Sequence, residues 1–259
     1  MRTRSRVGAA IAIGGLGIAL LVFEPGPAAA ANNGQLTFVA GVPVAQVRQI
    51  ALEVNPPPAP EDPTTPAPAP PALSGLLDVY SGTTLIADDV RAGTVTTVRL
   101  PTGNRTINVY ADGQVPGTSR ALLTKSGVQV TTTVVQTMAV GLNRGGRALR
   151  AEVFRNQFPI APGAGNAWLV VRNIASTAAV DVRVGGQVAF RGLQNAQQAV
   201  ITRQPGAAAI RVMGGSGRNT TLARNDNFTV RGGRVNILYI WGSEAADNVR
   251  LTTQLADIG

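Results

Sequence analysis

Asp88, Asp89 and Asp112 on one side, and Arg218, Arg224, Arg231 and Arg234 on the other, are the residues of this 259-residue sequence whose type and spacing suggest chemistry. Neighbouring carboxylates can divide the acid and base roles of a hydrolase. They can also contribute to a calcium site, which takes about six to eight oxygens. Only Asp112 joins the Asp88–Asp89 pair as a further local carboxylate, so the set is small for calcium and a solvated turn is the favoured reading. A carboxylate-based hydrolase is kept as the remote alternative. The four arginines fall in or beside expected turns, where solvated guanidinium groups can meet phosphate-bearing polymers.

Composition removes most other mechanisms. The chain contains no Cys and no His, which excludes thiol nucleophiles, disulfides, imidazole bases and the usual zinc or haem ligands. Lys125 is the only lysine, so a serine nucleophile has almost no choice of base. No cofactor is expected and no catalytic residue is assigned. The runs "MGGSGRN" and "NRGGRA" lack the spacing and strand–loop–helix setting of phosphate loops and read as hairpin turns. Trp168 and Trp241 sit in apolar strands and are expected to be buried rather than to stack on sugars.

The residues that must position these groups begin with an export leader. Arg2, Arg4 and Arg6 precede the apolar run "VGAAIAIGGLGIALLVF" and then "EPGPAAAA", the layout of a secretory signal over residues 1–31 with cleavage after Ala30 or Ala31. The alternative is an uncleaved single-pass anchor, since 17 apolar residues lie near the lower limit for a span.

Beyond the leader, the chain repeats itself at an offset of 103 residues. "LLDVYSGTTLIADDV" lies over "AVDVRVGGQVAFRGL", and "PTGNRTINVY" over "QPGAAAIRVM". After a two-residue slip, "VVQTMAVG" falls on "VNILYIWG". The copies span 34–157 and 165–259, joined by a linker at 158–164. Asp78 and Asp181 are then equivalent positions in two domains, each expected to accept hydrogen bonds at the entry to a strand.

Within each copy apolar residues alternate with period two. Ile107 and Val109 face one way, as do Val235, Ile237, Tyr239 and Trp241, with Gly- and Pro-rich turns between such segments. This pattern predicts an antiparallel sandwich or barrel in each copy. "VPVAQVRQIALEV" is undecided, because Val44, Val47, Ala51 and Val54 have helical spacing while Ile50, Leu52 and Val54 alternate.

The segment 55–73 carries nine prolines between Pro56 and Pro71. It is expected to be an extended insertion inside the first domain, with Thr64 and Thr65 as candidate O-glycosylation sites.

The block "DVYSG … LPTG … TINVYADG", and its second copy from "AWLVVRNIASTAAVDVRVGG" onward, resembles the bacterial secreted family known as domain of unknown function 4397. That resemblance implies two tandem immunoglobulin-like antiparallel β-sandwiches, an all-β fold on exported proteins, with no established activity. The family commonly carries a His-Ala-Ser-Pro-Asp-Ala-Pro-like loop between its first two strands. Here Arg172 to Ala179 reads "RNIASTAA", so no role of that loop transfers.

Charge separates the copies. Residues 34–157 hold ten basic and eight acidic residues, and residues 165–259 ten basic and five acidic. The expectation is a non-enzymatic binding or structural module of the cell envelope or exterior. Its partners would be anionic envelope polymers, met through the second copy, or another surface protein. Nucleic acid is not expected, because the chain lacks interleaved exposed aromatics and any known binding motif.

Overall fold

A computed structural model describes residues 32–58, 73–158, 162, 165–215 and 219–256. Residues 1–31, expected to be an export leader, most of the proline-rich segment with Thr64 and Thr65, and Arg218 lie outside the described residues. Residues 32–259 form one compact unit, and it is an all-β protein of two sandwiches.

The first sandwich is built from β1 (Asn33–Ala40), β2 (Leu77–Ser81), β3 (Thr84–Val90), β4 (Val95–Pro101), β5 (Gly103–Ala111), β6 (Leu123–Val130), β7 (Gln136–Leu142) and β8 (Leu149–Arg155). The second uses β9 (Ala167–Asn173), β10 (Val180–Val184), β11 (Gln187–Leu193), β12 (Gln197–Arg203), β13 (Gly206–Gly214), β14 (Thr220–Val230), β15 (Val235–Trp241) and β16 (Arg250–Ala256). Sheet orders are β3-β2-β5-β6 and β4-β1-β7-β8 in the first, β11-β10-β13-β14 and β12-β9-β15-β16 in the second. All pairings are antiparallel except β1 with β7 and β9 with β15.

Alternation explains each core. In the first sandwich Leu36, Phe38, Met138 and Val140 from one sheet meet Leu77, Val79, Ile107 and Val109 from the other. Leu169, Val171, Leu238 and Ile240 meet Val180, Val182, Ile210 and Val212 in the second. Each such side chain, fully buried, contributes about 1.5–3 kcal/mol.

The segment left open by its two periodicities is a helix, α1 (Val44–Val54), which tucks Val47, Ile50 and Ala51 under the first core. The two copies therefore diverge from the end of β1 rather than at the first proline. Between Ala40 and Leu77 the first carries α1 and the insertion, where the second passes from Asn173 to Val180 in a short loop.

A third apolar cluster lies between the sandwiches. Val39 and Ala139 from the outward face of the β4-β1-β7-β8 sheet pack with Val170, Ile174, Val235, Ile237 and Tyr239 of the second repeat. The four sheets are thus stacked, and the central strands of the two inner ones, β1 with β7 and β9 with β15, are buried on both faces. This explains why β7 and β15 read as nearly continuous apolar runs.

The junction also corrects the repeat alignment. Gly41 N–H donates to Val140 O and Ile174 N–H to Ile240 O, so β7 maps on β15 at an offset of 100 and Gly141 matches Trp241, not Gly242. A one-residue error in a strand exchanges its two faces. The face holding Val235, Ile237, Tyr239 and Trp241 accordingly turns to the neighbouring sandwich instead of its own core, and Trp168 joins the same cluster.

Candidate functional site

Charge is distributed unevenly over the two outermost sheets. In the second repeat, Arg183 on β10 stands in Cα register with Arg211 on β13, and Arg211 with Arg224 on β14. All three are exposed, because their neighbours Val182, Val184, Ile210 and Val212 point into the core. With strands about 4.8 Å apart, the three residues form a row about 10 Å long across the sheet. Like charges directly opposite one another destabilise a sheet, so packing gives no reason for the row. Arg224 also approaches Asp226 at 3.6 Å, but both side chains are half exposed or more, and such a pair holds little energy.

Of the three described arginines among the four singled out in the sequence, only Arg224 belongs to this row. Arg231 and Arg234 lie in the β14–β15 turn, about 20 Å along the strand from Arg224 at ~3.3 Å per residue. Arg231 N–H donates to Asn236 Oδ1 at 2.9 Å, and Arg234 O accepts from Trp168 N. The turn arginines and the ladder are separate features. Arg183 and Arg211 were missed because cross-strand register is invisible to a scan along the chain, although the repeat alignment sets them over Tyr80 and Asn108.

The equivalent row of the first repeat is neutral. Tyr80 is in register with Asn108 and Asn108 with Thr124, and Thr124 Oγ1 donates to Asn108 Oδ1 at 2.9 Å. Acid replaces base beside it, where Asp78, Asp89 and Asp112 bring one carboxylate oxygen each within 4.8 Å of one another. Sequence reasoning grouped Asp88, Asp89 and Asp112. The structure instead brings Asp78 into the group with Asp89 and Asp112, while Asp88 faces Asp78 from its side.

Asp78 accepts from Asp89 N at 3.2 Å through one oxygen and from Gly113 N at 3.1 Å through the other. Asp181 does the same for Gly192 N at 2.8 Å. Both aspartates thus bind the backbone of the adjoining hairpin. Burial first, and then Asp88, hold the Asp78 carboxyl above its ordinary range against those two N–H groups. Asp89 is also raised, by desolvation and by the charges of Asp112 and Asp88. Each Asp78 oxygen therefore already accepts one backbone N–H.

The junction holds the second notable polar group. Arg172 is fully buried, yet among the described residues no carboxylate meets it. Its Nε donates to Gln198 Oε1 at 3.0 Å, Nη1 to Tyr239 OH at 2.8 Å and Nη2 to Asn156 Oδ1 at 2.7 Å, with the Phe154 ring 4.5 Å below. Burial lowers the guanidinium from its usual range and raises the Tyr239 phenol, each partly offset by the other. Tyr239 OH in turn donates to Gln254 Oε1 at 2.6 Å, and Asn156 Nδ2 to Thr137 Oγ1 at 2.9 Å. The network ties both repeats together and borders a cleft of about 530 Å³ between them.

Fold and faces together define a tandem β-sandwich protein with one cationic outer sheet and a polar junction. Comparison with protein-family models and with characterised proteins finds no match. No helix among the described residues is long and apolar enough to cross a membrane.

Proposed function

We propose that this chain is an exported, non-enzymatic binding module of a bacterial envelope or exterior, and that its second sandwich holds anionic envelope polymers. The observation that carries the reading is the in-register row Arg183–Arg211–Arg224 on an exposed sheet, against Tyr80–Asn108–Thr124 at the same places in the first repeat. A row of guanidinium groups across strands can grip successive phosphates or carboxylates bidentately, and a bound polyanion would neutralise the mutual repulsion. Export rests on the leader-like residues 1–31, and the family resemblance to domain of unknown function 4397 agrees with it.

The test is retention of the chain on immobilised teichoic acid and on long-chain polyphosphate at low and high salt. Retention should weaken as ionic strength rises. The triple variant Arg183→Tyr, Arg211→Asn, Arg224→Thr, which copies the first repeat, should lose at least about tenfold in affinity, or ~1.4 kcal/mol. A triple variant that binds as the parent does would remove the ladder from the reading. If only Arg231→Ala with Arg234→Ala weakens binding, the site moves to the β14–β15 turn.

A further inference from the structure

We infer that the cleft between the two sandwiches is a binding site for a neutral saccharide, separate from the arginine ladder on the far side of the second sandwich. The cleft is about 530 Å³ and is walled by Gln35, Thr97, Thr133 and Gln157 of the first repeat and Gln254 of the second, with Phe158 at its side. That volume lies in the range of small-molecule sites.

Among the described residues none of its lining side chains is charged, in a chain of net charge +9. Amides and hydroxyls both donate and accept, as the vicinal hydroxyls of a sugar do. Phe158 adds an apolar surface, held by stacking on Trp168 at 6.5 Å between ring centroids, against which the C–H face of a sugar ring packs.

The cleft is also pre-organised. Arg172, buried at the junction, donates to Tyr239, and Tyr239 donates to Gln254 Oε1. That chain fixes the Gln254 amide and leaves its Nε2–H as the terminal donor, strengthened by the charge behind it. Asn156 is likewise pinned between Arg172 and Thr137. A site held by such supporting bonds loses little entropy on binding. Both repeats contribute walls, so the site exists only while the sandwiches are docked.

The experiment titrates the purified chain with maltoheptaose, cellohexaose and a β-1,3-glucan hexaose, reading heat by calorimetry and the fluorescence of Trp168, whose partner Phe158 lines the cleft. At least one of the three should bind, equally at low and high salt. Gln254→Leu should weaken binding at least about tenfold. Gln35→Ala and Gln157→Ala, at exposed positions whose loss leaves the core intact, should together weaken it comparably, while the arginine triple variant should bind as the parent. Absence of heat and fluorescence change with all three sugars would overturn the inference, as would binding that survives the glutamine substitutions. Binding lost only in the arginine triple variant would assign the sugar to the ladder and equally overturn it.

Discussion

Along the sheets that the repeats turn toward each other, the first carries Thr37, Val39, Ala139 and Gly141 where the second carries Val170, Arg172, Tyr239 and Trp241. One face is small and the other large. A methyl group at Gly41 would come within 2.6 Å of Ile174 and 2.7 Å of Trp241, and one at Gly93 within 2.9 Å of Trp241. At Gly141 it would run into the carbonyl of Ile174. Two copies of one sandwich have thus diverged into complementary halves of a junction. The small face cannot serve in the large one's place, and interiors packed at crystal-like density tolerate neither exchange.

Widening the small face is expected to have the largest effect. Neither Gly41 nor Gly141 has a positive φ, so replacing them tests packing alone. Gly141→Val meets backbone at Ile174 that cannot rotate away and should cost about 3 kcal/mol, at the top of the usual overpacking range. Urea denaturation followed by far-UV circular dichroism, with Trp fluorescence reporting on the second sandwich alone, should show a lowered midpoint, with the two sandwiches unfolding in separate steps. An unchanged single transition would show that the junction carries little of the stability.

Shortening the large face comes next. Arg172→Ala leaves the buried Tyr239 OH, the partly buried Asn156 Oδ1 and the exposed Gln198 Oε1 without their donor; an unsatisfied buried group costs about 1–3 kcal/mol before relaxation, and the guanidinium's packing on Phe154 is lost as well. We expect a loss of about 3 kcal/mol in the same measurement. Arg172→Met should lose less than Arg172→Ala, because it restores the volume above Phe154. If the two variants are equally unstable, hydrogen bonding outweighs packing at this position.

These positions also show where a sequence stops being legible. The alternation in Ile107–Val109 and Ile210–Val212 identifies strands and their inward faces without help, since period two has one physical cause. The offset of 103 places Asp78 over Asp181 correctly for the same reason. The runs "QTMAVGL" and "VNILYIW" show that both faces of β7 and β15 are buried, but a face buried in its own core reads the same as one buried against a neighbour. Val235 to Trp241 therefore announced burial and concealed the partner. α1 stayed ambiguous because Ile50, Leu52 and Val54 alternate while Val44, Val47, Ala51 and Val54 have helical spacing, and only tertiary contact, which buries Val47, Ile50 and Ala51, decides between them. Arg183, Arg211 and Arg224 lie far apart along the chain and meet only through strand register.

On the outermost sheets the expected effects are smaller and of opposite sign. Replacing Arg211 by Asn, its counterpart at Asn108, removes two like-charge neighbours from the Arg183–Arg211–Arg224 row. It should stabilise the second sandwich by roughly 0.2–1 kcal/mol per relieved pair while weakening polyanion binding. A variant that loses stability instead would show that Arg211 makes a structural contact outweighing the repulsion.

The smallest change is expected in the acidic corner of the first repeat, where the second repeat has Arg191 and Gly192 in place of Asp88 and Asp89. Asp78 is held above its ordinary range by burial and then by Asp88. A carboxyl whose folded pKa exceeds its unfolded value binds more protons in the native state. Its stabilising contribution is therefore complete below the unfolded value of about 3.9 and is lost as pH rises through the folded value. Mild acidification toward that window should accordingly strengthen the first sandwich until other carboxylates begin to lose native contacts. Asp88→Asn removes the nearby negative charge, lowers the Asp78 pKa and flattens that pH dependence. At neutral pH it should raise stability slightly, since ionised Asp78 keeps its bonds from Asp89 N and Gly113 N without an opposing charge. Carbon-detected NMR titration of the Asp78 carboxyl in parent and variant reads the shift directly. An Asp78 that titrates at or below the ordinary aspartate range in the parent would mean that the two backbone donors outweigh both burial and Asp88.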